Sequence, residues 1–299
     1  MQKLKTWWWG LLYGTLLTAF TIYMAMDTFL ISRVYATAQQ EQTKESENEE
    51  TTEQEATVSE NTYSDENICI TVTEYREYDT SIYVADVTLS SAKYLQTALA
   101  QNVYGRNVTE KTSEMAENAG AILAVNGDYY GAQETGYVLR NGVLYRDSAE
   151  SGQEDLVIYE DGSFQIISED EVSAEDLLAD GAKEILSFGP ALITDGSIAV
   201  TEQDEVGKAM ASNPRTTIGI IDDLHYVFVV SDGRTEESEG LSLLELAEFM
   251  DTLGVTTAYN LDGGGSSTMY FNGEVINQPT TDGNRIQERS VSDIVYIGY

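Results

Sequence analysis

The sequence has few of the residues that most often carry hydrolytic or metal chemistry. In 299 residues it contains one cysteine, Cys69, one histidine, His225, and three prolines. A lone cysteine forms no internal disulfide, and one cysteine with one histidine cannot assemble a zinc site of the Cys/His type. His225 lies in the strand-like run 224–230, so we interpret it as a strand residue and Cys69 as a small packed side chain, not as a catalytic Cys–His pair.

Basic residues are also scarce. The chain has 16 Lys plus Arg against 51 Asp plus Glu, which gives a formal net charge of −35. Such a chain repels phosphate backbones, so this composition argues against nucleic acid as a partner. The length is appropriate for one domain of ordinary to large size with appendages.

The N-terminus carries the longest uncharged stretch, from Trp7 to Met26. About 20 apolar residues span a bilayer core as a helix, and Lys3 and Lys5 favour a cytoplasmic N-terminus. We therefore predict a cytoplasmic segment at residues 1–6 and a transmembrane signal-anchor at residues 7–31. The alternative is a secreted protein, cleaved near Ala38 at a small-x-small site; either topology places the remainder outside the cytoplasm.

An acidic, polar segment follows the anchor. Residues 39–66 consist mainly of Glu, Gln, Thr, Ser and Asn, which offer little apolar surface to offset chain entropy. We predict a disordered acidic linker over residues 32–66 and a folded domain over residues 67–299.

The folded part mixes strand and helix signals. Apolar alternation begins at Ile68, and the continuous apolar run Ala121–Val125 is typical of a central strand covered on both faces. Ser242 and Glu245 form a capping box before an amphipathic helix. These patterns predict an α+β fold: a mixed β-sheet domain with flanking helices, preceded by the transmembrane helix and the linker.

Two predicted apolar strands are each followed by a carboxylate that lies beside glycines in the sequence. Asn126 and Asp128 follow the first strand, and Asp262 follows a second strand that ends near Leu261. Glycines beside a carboxylate let a ligand approach the backbone closely, so Asp128 and Asp262, with Asn126, are candidate site residues.

The second strand continues into the turn Gly263, Gly264, Gly265 and Ser266. Successive backbone N–H groups in such a turn can form an anion-binding nest. The alternative is a plain hairpin loop. The turn is neither a Walker loop, because no lysine follows, nor a dinucleotide fingerprint, because no helix follows.

Three of the few arginines, Arg215, Arg234 and Arg289, lie beside strand-forming stretches in short motifs bounded by Gly, Pro or Ser. The guanidinium fork suits phosphate or carboxylate recognition, so these arginines are candidates for binding a substrate phosphate. Alternatively, each arginine pairs with a local Asp or Glu and has a structural role.

Taken together, six motifs resemble the phosphodiester glycosidase family, over roughly Ala121 to Tyr299. They occur in the order Val125-Asn126-Gly127-Asp128-Tyr129, Phe188-Gly189-Pro190, Pro214-Arg215-Thr216, Asp232-Gly233-Arg234, Asn260-Leu261-Asp262-Gly263-Gly264-Gly265-Ser266-Ser267 and Glu288-Arg289. The resemblance implies hydrolysis of a sugar-1-phosphodiester at the bond between sugar C1 and oxygen. Glycoside cleavage commonly uses two carboxyl groups, so the resemblance makes Asp128 and Asp262 the catalytic candidates, with Asn126 orienting a sugar hydroxyl or a water. On a cell surface, the substrate would be an envelope or exopolysaccharide glycophosphate.

Two other classes of function stay open at this point. One is a non-catalytic glycan-binding module that uses the same cleft. The other is an assembly factor for the envelope or exopolysaccharide, whose function depends on the membrane anchor. Asp and Asn oxygens could also hold Ca²⁺, but no EF-hand spacing is present, and no metal ligand is assigned.

Overall fold

The computed structural model describes residues 2–38, 56–204 and 212–299. Four α-helices lie in these ranges: Gln2–Phe29 (α1), Thr112–Ala119 (α2), Ala174–Ala179 (α3) and Leu243–Thr252 (α4). Strands dominate the remainder, so the α+β domain with few helices that the sequence predicts is confirmed in this coarse form.

Sheet A has nine strands. In spatial order they are Ser197–Ile198 (β16), Ala191–Thr194 (β15), Thr257–Asn260 (β19), Arg215–Asp222 (β17), His225–Ser231 (β18), Thr80–Leu89 (β5), Ile68–Glu77 (β4), Thr62–Ser64 (β3) and Thr57–Val58 (β2).

Two five-stranded sheets accompany it. Sheet B contains, in spatial order, Glu274–Val275 (β21), Met269–Phe271 (β20), Ala121–Asn126 (β9), Asp293–Gly298 (β23) and Leu95–Leu99 (β6). Sheet C contains Val143–Arg146 (β11), Val138–Arg140 (β10), Ala182–Leu186 (β14), Glu154–Tyr159 (β12) and Phe164–Ser168 (β13). Two further pairs join Arg33–Thr37 (β1) to Val103–Arg106 (β7), and Glu110–Lys111 (β8) to Ser290–Val291 (β22).

The strand pairings across the described ranges are antiparallel, which corrects the expected mixture of parallel and antiparallel pairs. Some of these pairs, such as β4–β5 and β17–β18, are hairpins with two-residue turns, whereas a parallel pair needs a long crossover. Asn272 and Gly273 form such a turn, with φ of 48° and 95°, between β20 and β21. Both values are positive, as a type I′ hairpin turn requires.

Sheets A and B pack face to face over the main core, where Ile70 and Phe228 of sheet A meet Val125 and Val295 of sheet B. Each sheet is covered on its outer face by one helix. On the outer face of sheet A, α4 packs Leu246, Phe249 and Met250 against β5 and β18. On the outer face of sheet B, α2 packs Met115 and Ala116 against β9 and β23. Burial on both faces explains why β9 and β18 are continuously apolar.

The capping box that the sequence predicts is present at the start of α4. The Ser242 hydroxyl accepts a bond from the Glu245 N–H at 3.1 Å, and the Glu245 carboxylate accepts one from the Ser242 N–H at 2.8 Å. These bonds hold α4 in register on sheet A, where each fully buried Leu or Phe contributes roughly 1.5–3 kcal/mol.

The N-terminal helix is long and apolar enough over Trp7–Phe29 to cross a bilayer, and this stretch is not buried by the domain. A signal sequence has the same character, so the helix alone does not separate anchor from signal peptide. The chain then folds back on the domain through β1. The Asn107 amide donates to the Thr28 and Ile31 carbonyls at 3.1 and 3.2 Å.

Part of the expected linker is ordered. Residues 33–37, 57–58 and 62–64 lie in strands β1, β2 and β3, while residues 39–55 lie outside the described ranges. These strands are short and bury little of their surface, so no pattern of buried apolar residues reveals them. Cys69 is exposed, unlike the packed thiol expected, and His225 lies on β18 as expected, 3.0 Å from Asp86.

Candidate active site

The site lies where β9 of sheet B and β19 of sheet A end side by side. The Asn126 side chain joins the two ends, because its amide nitrogen donates to the Asp262 carbonyl at 2.7 Å. Its amide oxygen accepts from the Thr216 hydroxyl at 2.8 Å and the Thr268 N–H at 3.2 Å. Asn126 is fully buried, and its amide nitrogen and oxygen are both hydrogen-bonded to other protein groups. A role in positioning the Asp262 backbone therefore replaces the expected contact with sugar or water.

A cavity of about 240 Å³, which we call the catalytic cavity, opens beside these strand ends. Its walls include both candidate carboxylates, Asp128 and Asp262, together with Ser266, Arg289 and the exposed ring of Tyr129. Pockets for drug-sized ligands span roughly 300–1,000 Å³, so this one suits a smaller group such as one sugar unit. Two carboxylates from distant parts of the sequence thus share one cavity.

Asp128 is held rigidly. One carboxylate oxygen accepts from the Tyr130 N–H at 2.9 Å, and the other accepts from the Ser187 N–H at 3.0 Å and from Nη2 of Arg140 at 2.6 Å. These three donors hold both oxygens of the Asp128 carboxylate in place at the wall of the catalytic cavity.

Arg140 and Asp293 complete a buried charge cluster that the sequence analysis missed. Nη2 of Arg140 lies 2.7 Å from Oδ2 of Asp293, and Nε lies 2.9 Å from the same atom. Burial, and the Asp128 charge beside it, raise the pKa of Asp293, and Arg140 opposes that shift. Gly127 makes room for the cluster, since a Cβ there would lie 2.3 Å from the Asp293 carboxylate.

Asp262 has a different environment. Burial raises its pKa to about 6, although hydrogen bonding from Ser266 and the charge of Arg289 oppose the shift. The Ser266 hydroxyl donates to Oδ2 of Asp262 at 2.5 Å. Asp262 can therefore gain or lose a proton close to neutral pH, as a general acid or base must.

The three candidate arginines surround the glycine turn at different depths. Arg289 lines the catalytic cavity and donates to the Ser266 hydroxyl at 3.3 Å. Arg234 lies against Gly264, and its guanidinium donates to the Asn213 side-chain oxygen at 3.1 and 3.2 Å and to the Thr281 carbonyl at 2.7 Å. Burial, with a smaller effect of the neighbouring Arg289, lowers the pKa of Arg234.

Arg215 lies deeper than the other two. It is buried, its Nε donates to the Leu241 carbonyl at 2.8 Å, and it packs behind Gly263. Arg289 is therefore the one of the three that lines the catalytic cavity. Arg234 contacts the turn at Gly264, and Arg215 contacts it at Gly263.

The glycine turn is not the open anion nest that the sequence suggested. The N–H of Gly264 donates to the Pro214 carbonyl at 2.8 Å, and those of Ser266 and Ser267 donate to carbonyls of Gly263 and Gly264 within the turn. Gly265 is needed for packing, since a Cβ there would lie 2.3 Å from the Thr281 hydroxyl. Ligand recognition therefore falls mainly on side chains around the turn.

Within residues 2–38, 56–204 and 212–299, no group of three or more His, Cys, Asp or Glu side chains has the arrangement of a metal site. The calcium ion considered from the sequence stays a prediction, and none of the chemistry below depends on it.

Residues 119–298, more than half of the chain, match the family model described as phosphodiester glycosidase. The chain belongs to the phosphodiester glycosidase family. The matched span contains both cavity carboxylates, the Arg140–Asp293 pair and the three arginines, whereas the cavity-wall residues Asn107 and Thr109 precede it.

Curated relatives resemble part of the chain. The SPbeta prophage-derived uncharacterized protein YomE of Bacillus subtilis is 29% identical over 201 residues, which cover 66% of this chain and 31% of that protein. The Bos taurus N-acetylglucosamine-1-phosphodiester alpha-N-acetylglucosaminidase is 32% identical over 185 residues, which cover 56% of this chain and 34% of the enzyme. The alignments thus span about a third of these relatives' own length. The family includes a glycosidase acting on phosphodiester-linked N-acetylglucosamine.

Among solved structures, the chain is similar to the catalytic domain of the zebrafish N-acetylglucosamine-1-phosphodiester alpha-N-acetylglucosaminidase, auto-inhibited by its pro-peptide. The TM-score is 0.61 at 19% identity, with coverage of 90% of this chain and 89% of that one. At this identity the likeness shows that the two proteins share the phosphodiester glycosidase fold.

Proposed function

We propose that this protein hydrolyses a sugar-1-phosphodiester, cleaving the bond between sugar C1 and the phosphate oxygen. The observation that carries the proposal is the catalytic cavity of about 240 Å³, lined by a fixed carboxylate, a titrating carboxylate and an arginine. The family match and the named activity of the bovine relative support the same reaction class.

We assign different catalytic roles to Asp128 and Asp262 because their environments differ. A sugar losing its C1 substituent develops positive charge at C1, and the Asp128 carboxylate, held in place by Arg140, stabilises that charge. Because a phosphate ester leaves readily, little protonation of the leaving oxygen is needed, and the slower task is to activate water. Asp262, with a pKa of about 6, is mostly ionised at neutral pH and takes that proton.

The resulting step balances in atoms and electrons. The water oxygen forms the new bond to C1, and its proton passes to Asp262. The C1–O bond breaks, and its electron pair stays on the phosphate oxygen, so that the products are a free sugar and a phosphomonoester. This assignment of base and charge-stabilising group is part of our proposal.

Arg289 supplies the phosphate contact. Its side chain is exposed at the cavity and bonds the same Ser266 hydroxyl that donates to Asp262. A guanidinium that faces an anionic phosphate forms charge-assisted hydrogen bonds, about twice as strong as neutral ones. Ser266 thus links the proposed phosphate contact to the proposed base.

We further propose that the protein stays membrane-anchored, with the domain outside the cytoplasm and a cell-surface glycophosphate as its substrate. Asn107, a wall residue of the catalytic cavity, bonds the Thr28 and Ile31 carbonyls at the end of α1. This places the cavity next to the helix that would leave the bilayer. The alternative, cleavage near Ala38, would cut a segment that pairs with the domain, because the Ala38 N–H donates to the Asn102 carbonyl at 2.8 Å. The segment after the helix is therefore part of the fold.

Hydrolysis in ¹⁸O-labelled water tests the bond that breaks. Full-length protein in detergent micelles is incubated with a sugar-1-phosphodiester, and the phosphomonoester product is examined by ³¹P NMR for the isotope shift. Cleavage at C1 leaves the phosphomonoester unlabelled. Label in the phosphomonoester would mean attack at phosphorus, and the assignment of Asp128 and Asp262 to C1 chemistry would be wrong.

A further inference from the structure

A second cavity of about 240 Å³ lies beside strands β1 and β7. Three arginines, Arg33, Arg106 and Arg146, line it, and Glu134 is the only acidic side chain among its wall residues. The whole chain has 16 basic residues against 51 acidic ones, so three arginines around one small cavity are a local excess of positive charge, although Arg33 forms an ion pair with Asp27 and Arg106 one with Glu134.

The arginines are only partly satisfied by the protein. Arg146 uses Nε and Nη1 to hold the carbonyls of Gly136 and Gln133 at 2.6 and 2.8 Å, so no carboxylate is among these partners. Arg106 donates from Nη1 to Glu134 at 2.7 Å. Among described residues, Nη2 of Arg146 and Nε of Arg106 are buried without a hydrogen-bond partner. An unmet buried donor costs free energy, and an anionic oxygen in the cavity is the partner that suits both.

Aromatic rings form the rest of the wall. Tyr104 stacks on Tyr130 with a centroid distance of 5.5 Å, and Tyr35 lies 5.8 Å from Tyr104 at the exposed rim. Tyr104 and Tyr130 are buried, so the ring open to a ligand is that of Tyr35. An exposed aromatic ring beside guanidinium groups suits a sugar that carries an anion, because the sugar packs on Tyr35 while the anion meets the arginines.

The second cavity adjoins the catalytic cavity through two short stretches of chain. Arg106 lines the second cavity and Asn107 the catalytic one; likewise Tyr130 lines the second, and Gly131 the catalytic one. Neighbouring residues are about 3.8 Å apart between Cα atoms, so the cavities share a thin wall. Two cavities separated by so thin a wall fit two successive units of one polymer.

We propose that the second cavity is an anion-binding subsite for the neighbouring unit of a polymeric glycophosphate whose linkage is cleaved in the catalytic cavity. This rests on the proposed function and names the substrate class: a polymer with a phosphate or carboxylate on the adjacent sugar unit.

The subsite depends on the segment that follows the helix. Arg33 and Tyr35 come from β1, and Arg33 pairs in register with Arg106 of β7. Arg33, Tyr35, Tyr104 and Arg106 all precede the family-matched span of residues 119–298. About half of the subsite wall is therefore chain outside that span, and β1, which joins the helix to the domain, contributes Arg33 and Tyr35 to the selection of polymer.

The test compares a one-unit and a two-unit substrate of the same sugar and phosphodiester linkage. Full-length wild type is assayed in detergent micelles beside the Arg33→Gln/Arg106→Gln double variant, with Arg76→Gln as the control, since Arg76 is an arginine of β4 that lines neither cavity. Wild type is expected to have a higher kcat/KM for the two-unit substrate. The double variant is expected to reduce that preference by about tenfold or more, because it removes two charge-assisted contacts.

Three results separate the possible failures. If wild type cleaves both substrates with equal kcat/KM, or if the double variant keeps the wild-type preference, the subsite is overturned while the proposed function stands. If wild type cleaves neither, the proposed function fails, and the subsite is judged by NMR titration with the two-unit compound, whose binding must weaken in the double variant and not in Arg76→Gln. If the double variant does not fold, Arg33→Gln alone, at a half-exposed side chain, is measured in its place.

Discussion

Nη2 of Arg140 bridges Asp128 and Asp293: it lies 2.6 Å from Oδ2 of Asp128 and 2.7 Å from Oδ2 of Asp293, and Nε donates to the same Asp293 oxygen at 2.9 Å. All three side chains are buried. Burial, and the neighbouring Asp128 carboxylate, raise the pKa of Asp293, and Arg140 opposes that shift.

Arg140→Gln is therefore expected to lower the free energy of unfolding by about 3–5 kcal/mol, because it leaves two buried carboxylates without their cation. Urea denaturation of the full-length protein in detergent measures the change, with Arg76→Gln as the matched control. A loss below about 1 kcal/mol would contradict the view that this cluster organises the site.

The pH dependence of kcat/KM reports the role of Asp262. Burial raises its pKa to about 6, so a general base at this position gives activity that rises with pH through about 6. Asp262→Asn is expected to lower kcat by about 10²-fold or more, while Asp251→Asn, at an exposed residue of α4, serves as the control. Activity that falls as pH rises through 6 would instead assign Asp262 as the acid.

Arg289→Gln tests phosphate recognition. Loss of the guanidinium at the catalytic cavity is expected to raise KM for sugar-1-phosphodiesters about tenfold or more, with little change for an uncharged aryl glycoside. Arg285→Gln, an exposed arginine that does not line the catalytic cavity, is the control. An equal effect of Arg289→Gln on both substrates would mean that Arg289 does not read the phosphate.

Asp155 makes stability depend on pH. Its carboxyl is buried, and burial together with Glu169 raises its pKa well above the ordinary value near 4. The folded protein then holds a proton that the unfolded chain releases, so this group's contribution to stability decreases as pH rises from about 4 towards the folded-state pKa. Relative to wild type, Asp155→Asn should gain up to about 1.4 kcal/mol per pH unit between pH 5 and 8. A difference that is flat with pH in parallel urea titrations would show that Asp155 is ionised in the folded protein.

The sequence was sufficient to find the residues that end buried strands. Asp128 and Asp262 each follow a continuous apolar run, and such runs form the central strands β9 and β19, whose ends meet. Arg140 could not be found this way, because its partner Asp293 lies 153 residues away and the two meet only when sheet C packs beside sheet B. The prediction of an open anion-binding nest was wrong for a similar reason. The Pro214 carbonyl that accepts a hydrogen bond from the Gly264 N–H comes from a distant part of the sequence.

The strands β1 to β3 escaped prediction for a different reason. They bury little apolar surface, and backbone pairing of β1 with β7 and of β3 with β4 holds them in place. A pattern based on hydrophobic alternation has no signal there. The residues that build the second cavity from β1 were consequently assigned to a linker.

The substrate class is the central claim, and a substrate panel tests it most directly. Full-length protein in micelles is incubated with sugar-1-phosphodiesters and with matching aryl glycosides, in the presence of Ca²⁺ and again with a chelator, and released sugar and phosphomonoester are followed by NMR. The account predicts release from the phosphodiesters and at most slow release from the glycosides. Cleavage of both classes at equal rates, or specific binding without turnover of either, would contradict it.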